Sequence, residues 1–271
     1  MARANTSGLL SICAIGGTLA ALFWLERRYP LRLSKPEPDR RRVPRNVMMA
    51  ASTALVVRLC ERPLVEPLAH WVERKQAGLI PRLALPPMAE KVLGVILMDY
   101  SLYWWHILLH RLPFLWSSHV VHHTDPVLDS STALRFHWLE FLASIPWRAA
   151  QVGLLGIRPS TLALWQKLTF AEVLFHHSNL RLPPKAESRL SLFVITPRLH
   201  GIHHSVRPEE TNANFSSGLA IWDMLHRTRK IDVPQEAIEI GADSYRNAGT
   251  LDLPRLLAMP FQRYLHRQRS D

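Results

Sequence analysis

Residues 99–125 read DYSLYWWHILLHRLPFLWSSHVVHHTD and carry five histidines in two close sets, His106 and His110, then His119, His122 and His123. In a helix, spacings of three and four residues place each set on one face, so the imidazoles point at a common volume. That is how a chain assembles a polyhistidine metal site.

Outward from this stretch, the H-x-x-H-H spacing returns as LHGIHHS, which supplies His200, His203 and His204. Eleven of the fourteen histidines fall between positions 106 and 204, a concentration that scattered core or surface histidines do not produce. His70, His226 and His266 stand outside the sets and read as surface or structural residues.

The 271 residues carry a net charge of +11 and are 48% hydrophobic, values that a soluble protein could share. Their distribution points to a membrane instead, because apolar residues gather in windows and charges gather between them. The first window, Gly8 to Leu25, has no charge and is long enough to cross a hydrocarbon core. A cleaved signal peptide is the alternative, but the following RRYP is not a small-residue cleavage site.

A loop follows with Arg27, Arg28, Arg32, Lys35, Arg40, Arg41, Arg42 and Arg45, broken by four prolines. Between two apolar windows it reads as a positive-inside cytoplasmic loop rather than a nucleic-acid site. Val47 to Leu59, continuing toward Trp71, is a weaker second crossing or an interfacial hairpin, since charges interrupt it. Met88 to Leu109 is the third window and runs into the first histidine pair. Residues 138–156 and 160–175 form a helical hairpin around the turn G-I-R-P, with Glu140, Arg148, Lys167 and Glu172 facing the bundle or snorkelling.

Five crossings put all the histidine sets on the cytoplasmic side. The expected fold is an all-α integral membrane protein, a bundle of about four to five transmembrane helices with a cytosolic histidine-rich cap. Residues 1–87 would supply N-terminal membrane segments, 88–230 the histidine-box domain, and 231–271 a basic amphipathic tail. A multi-pass protein of a bacterial inner membrane is the expected setting. Two cysteines, Cys13 and Cys60, make neither a disulfide framework nor a thiolate site. No phosphate-binding glycine loop, nucleophile elbow, internal repeat or low-complexity tract is present.

Neutral imidazole suits iron, zinc, copper or nickel, and eight or more imidazoles exceed what one ion takes, so two ions are implied. A histidine-rich site at the cytoplasmic ends of membrane helices fits iron that binds O2 beside a lipid chain. The chain resembles the fatty acid hydroxylase and sterol desaturase superfamily of membrane oxygenases. The resemblance rests on His106/His110, on His119 to His123, on ALRFHWLE around His137, on HHSN at 176–179, on His200 to His204 and on NANFSSGLAIWD. It implies His106, His110, His119, His122, His123, His177, His200, His203 and His204 as metal ligands, with His137 as a tenth.

The resemblance further implies two iron ions, with zinc as an occupant after purification, O2 as co-substrate and a lipid drawn from the bilayer. A separate electron donor is expected, a reductase, ferredoxin or cytochrome b5-like protein, because no haem or flavin motif accompanies the boxes. The chain departs from the family pattern at Ile107, where arginine is common, and in WDMLHRT at 222–228, where W-D-x-x-F-G-T is common. Val173 stands where some relatives carry a further histidine, a place that either His137 or Glu172 fills or that stays open.

His176 points about 100° from His177 on a helix, which favours a supporting role over ligation. Asp99 lies seven residues before His106 and would accept either an imidazole N–H or a helix-packing hydrogen bond. Asn179 and Asn214 would orient ligands or cap loops. Two other readings remain open on the residues alone, a di-zinc membrane hydrolase and a non-enzymatic metal carrier or sensor.

Overall fold

The computed structural model describes residues 16–33, 40–243 and 252–267. Among them there is no β-strand, only three isolated bridges, so the all-α expectation is met. The first window is helical over 16–28 (α1), and its earlier residues, like the basic loop at 34–39, lie outside the described part.

The second window is one helical run, α2 (Arg42–Val56) and α3 (Arg62–Lys75) joined through a π-helical turn at Val57–Glu61. The wide turn falls just before Pro63, whose missing N–H cannot serve an i→i−4 ladder. The run starts within the basic stretch, where no helix was expected. Pro44 sits in its first turn, where backbone N–H groups lack intrahelical partners anyway.

Helix α4 (Pro87–Arg111) contains the third window and the first histidine pair. It stops at Leu112, held extended by the following Pro113, and α5 (Pro113–His123) departs in a new direction with the second set. The expected hairpin is α6 (Trp138–Leu155) and α7 (Pro159–His177). Gly156 closes α6 at φ +81°, and a Cβ on Gly78 would lie 2.4 Å from the Gly156 Cα, so both positions exclude side chains.

Val65, Ala69 and Val72 of α3, Met98 of α4, Val152 of α6, and Leu162 and Trp165 of α7 form one buried core. These four helices are the bundle. Of the described helices only α4 is long and apolar enough to cross a membrane by itself. Charges shorten the apolar windows of the others, and Arg148 is turned inward, its guanidinium 4.2 Å from the Trp165 ring.

Short helices build a cap over one end of the bundle: α8 (Pro184–Leu190), α9 (Pro197–His203), α10 (Pro208–Thr211) and α11 (Ile221–Leu225). The last helix, α12 (Leu253–Arg267), lays Leu256 and Met259 against Met49, Val120 and Val121, and so backs the histidine helix α5.

Candidate metal centre

Nine imidazoles converge where α4, α5, α7 and α9 end, and they divide into two groups. His106, His110, His119, His123 and His203 form one, and His122, His177, His200 and His204 form the other. Within each group the candidate ligand nitrogens lie within 4.8 Å of one another. Adjacent residues are split between groups, His122 from His123 and His203 from His204, because neighbours on a helix point about 100° apart. The two groups abut, with the His123 and His204 rings stacked at 4.4 Å.

In the first group three outer ring nitrogens are held by the protein, while Nδ1 of His123 has no protein partner. Nδ1 of His106 bonds the Phe215 carbonyl at 2.6 Å, and Nδ1 of His203 bonds the Ala213 carbonyl at 2.8 Å. Nδ1 of His119 meets Oε2 of Glu140 at 3.0 Å. Each contact fixes the proton on Nδ1 and leaves the Nε2 lone pair for a metal. The buried Nε2 atoms of His110, His119, His123 and His203 have no protein partner.

In the second group four Nε2 atoms face one another through three contacts, His177 to His122 at 2.9 Å, His200 to His177 at 3.0 Å and His204 to His200 at 3.1 Å. With its proton on Nδ1, His177 can only accept at Nε2, and the single Nε2 proton of His200 cannot point along both of its contacts, so hydrogen bonding alone does not saturate the set. Metal–nitrogen bonds of roughly 2.1 Å would put nitrogens in neighbouring octahedral positions about 3.0 Å apart. The spacing therefore fits a shared cation. Nδ1 of His177 bonds the Val173 carbonyl at 2.7 Å, whereas Nδ1 of His122, His200 and His204 has no protein partner.

Burial pushes His122, His123, His200, His203 and His204 well below the ordinary imidazole value, and neighbouring imidazoles push the same way. All five are thus neutral near pH 7, the form that binds metals.

His137 lies apart from both groups. Its Nδ1 accepts the Leu139 N–H at the start of α6, and its Nε2 is 3.2 Å from the Leu257 carbonyl of α12. It caps one helix and ties down another. His176 is also outside the groups, buried, with its ring 4.1 Å from that of His200. Asp99 touches no imidazole; its Oδ2 accepts the Leu219 N–H at 3.0 Å and the Trp222 indole N–H at 2.7 Å. Of the two openings for Asp99, the packing one is realised. His226 meets the Tyr100 hydroxyl at 3.0 Å and stacks on Tyr103.

Asn179 exchanges bonds with the Arg32 backbone, and Asn214, at φ +53°, joins Leu199 and Lys230. Asp223 accepts from the Phe215 and Ser216 N–H groups and so fixes the carbonyl that holds His106. Arg227 takes φ +58°, the left-handed region that the glycine of the common W-D-x-x-F-G-T pattern would enter freely.

Two residues that matter here were not singled out as site residues by sequence. Glu140 was expected only to face inward or snorkel, yet it orients His119. Arg42 was one of many loop arginines, yet its guanidinium bonds Asp125 at 2.6 and 2.9 Å and Asp129 at 2.6 Å, fixing the chain just beyond His123. Burial opposes charge on Asp125, but Arg42 and Arg135 hold its carboxyl below the usual carboxylate value. The Asp125 signal, an acid two residues past a box, was visible; its partner 83 positions earlier was not.

Among the described residues, an all-helical bundle thus brings two all-imidazole groups that could hold metal to one end. Residues 91–228 match the fatty acid hydroxylase family, and the chain belongs to it. It is 34% identical over 179 residues to an ornithine lipid hydroxylase, OlsE, of Rhizobium tropici, a match covering 65% of this chain and 52% of that protein. An alkylglycerol monooxygenase of Danio rerio is 31% identical over 131 residues, 48% of this chain and 28% of its own. A cholesterol 25-hydroxylase of Rattus norvegicus is 26% identical over 197 residues, 67% of this chain and 61% of its own. The chain thus spans about half the length, or less, of the first two. No solved structure matches it.

Proposed function

We propose that the protein is a membrane oxygenase that hydroxylates or desaturates a lipid with two irons, O2 and electrons from a separate donor. The observation that carries this reading is the division of nine imidazoles, eight of them buried, into two converging groups. Two ions held by nitrogen alone, beside an apolar helix, suit oxidative attack on a hydrocarbon better than hydrolysis.

Iron bound there would supply the O2 chemistry that breaks an unactivated C–H bond. The chain's own contribution is positioning and dryness. Glu140, the Phe215 carbonyl and the Ala213 carbonyl hold three rings of the first group, the Val173 carbonyl holds one of the second, and burial excludes water. His110 or His204, once removed, leaves its group one nitrogen short, so neither would be spared.

The reading includes four to five crossings with the histidines on the cytoplasmic side of a bacterial inner membrane, and residues 88–230 as the oxidising unit. Large apolar side chains point outward from every long helix, among them Leu55, Leu59, Val92, Leu154 and Leu168, which supports a lipid surround. The lipid-hydroxylating relatives support a lipid substrate. The test is lipid mass spectrometry of cells expressing the wild type or His123→Ala under 18O2. Hydroxylation adds one labelled oxygen and desaturation removes two hydrogens, in the wild type alone. Identical lipid profiles from iron-loaded wild type and variant would refute the reading.

A further inference from the structure

Two cap segments far apart in sequence, 190–195 and 218–229, are stitched together. The Ala220 N–H donates to the Phe193 carbonyl at 2.9 Å, the Ile195 N–H to the Gly218 carbonyl at 3.0 Å, and Arg229 Nη2 to the Ser191 carbonyl at 3.1 Å. Their outer side chains are apolar and bare: Leu190, Leu192, Phe193, Ile221, Met224 and Leu225, with Phe193 68% and Leu225 62% exposed. Six large apolar groups in one place are more than scattered exposure, and such patches mark contact surfaces.

The position of the patch along α4 indicates what it contacts. Leu219 and Trp222 bond Asp99, His226 meets Tyr100, and Thr228 meets the Tyr103 hydroxyl. All three α4 residues precede His106, Asp99 by seven positions, which is roughly 10 Å along the axis. The second segment therefore hangs from the metal centre toward the start of α4, alongside the helix apolar enough to span a bilayer. Exposed basic residues border it, Lys185 and Arg189 at one end and Arg227 at the other. An apolar face with a basic border is suited to a leaflet whose phosphates are anionic.

We propose that residues 190–193 and 221–225 are inserted in the cytoplasmic leaflet, so that part of the cap lies within the membrane and Asp99 anchors it to α4. The occupant of the patch is lipid, not a second protein. Gly218 belongs to this device, since a Cβ there would lie 2.5 Å from Asp99 Oδ1 and 2.6 Å from Glu172 Oε2 and would push the segment off α4.

The inference rests on the membrane reading above, and the test separates the two. In a chain with Cys13→Ser and Cys60→Ser, single cysteines are placed at Phe193, Leu225, Val92 of α4 and Arg207 on the exposed cap. Each is incorporated into nanodiscs of phosphatidylethanolamine and phosphatidylglycerol without any donor protein and treated with a charged maleimide. Bound metal and circular dichroism check the fold of each variant. Expected is full labelling of Arg207→Cys and loss of labelling at Val92→Cys, Phe193→Cys and Leu225→Cys, all three recovered in dodecyl sulfate. Labelling of Phe193→Cys and Leu225→Cys with Val92→Cys still protected would overturn the inference alone and leave the patch to a protein partner. Labelling of Val92→Cys as well would overturn the membrane reading and the inference with it.

Discussion

Replacing Arg42 by methionine keeps an unbranched stem but removes a guanidinium that six hydrogen bonds surround. Its partners are Asp125 at 2.6 and 2.9 Å, Asp129 at 2.6 and 3.0 Å, the Val127 carbonyl at 2.7 Å and Thr132 Oγ1 at 3.0 Å. Arg42 is 7% exposed and Asp125 fully buried, so the variant leaves carboxylates facing one another without their main counter-charge. Breaking a buried pair on one side costs about 3–5 kcal/mol, far more than the net worth of the intact pair. In a chain of this size that corresponds to a fall in apparent Tm of roughly 10 °C. The assay is thermal unfolding of the detergent-solubilised protein, followed by circular dichroism, beside Arg255→Met as a control. Arg255 sits in an exposed pair with Asp252 at 3.9 Å, and its loss should shift stability by less than about 1 kcal/mol. If Arg42→Met unfolds no earlier than Arg255→Met, the claim that this network secures the chain beyond His123 is wrong.

Glu140→Gln should weaken metal binding about 10- to 100-fold while leaving the helix content unchanged, since it loosens the His119 ring without removing a ligand; competition with a chelator reads this directly. His137→Ala should retain full metal content and lose on the order of 1 kcal/mol of stability as a lost helix cap, whereas a drop in metal content would restore it as a tenth ligand. Graded chelation should remove metal in two steps, the ion of the second group first, because only His177 there has its outer nitrogen held by protein. A single step abolished by neither group's variants would count against that asymmetry.

The histidine spacing carries most of the site, and the reason is local: positions three and four apart share a helix face whatever the tertiary context. The division into two groups is less local. His122 and His123 belong to one box but to different groups, and only the packing of α4, α7 and α9 decides which neighbour each one meets. The hairpin of α6 and α7 was legible because Gly156 and Pro159 mark its turn. The run from Arg42 to Lys75 was legible only in part: Val47 toward Trp71 reads as a weak crossing, but not its start in the basic stretch, where Pro44 fits a first-turn position, nor the π turn before Pro63 that keeps it continuous. Asp99 shows the limit of periodicity. Its seven-residue distance from His106 suggested a shared face, but its partner is Trp222, which enters from 123 positions away.

The central claim is that adjacent histidines serve different ions, and metal counting tests it most directly. Protein from iron-supplied cells should carry two irons per chain. His110→Ala/His203→Ala, both in the first group, should keep one, and His203→Ala/His204→Ala, one from each, should keep none tightly bound. One metal in the wild type, or the same count in both double variants, would contradict two separate groups. Two zincs that iron cannot replace would preserve the groups and contradict the oxygenase.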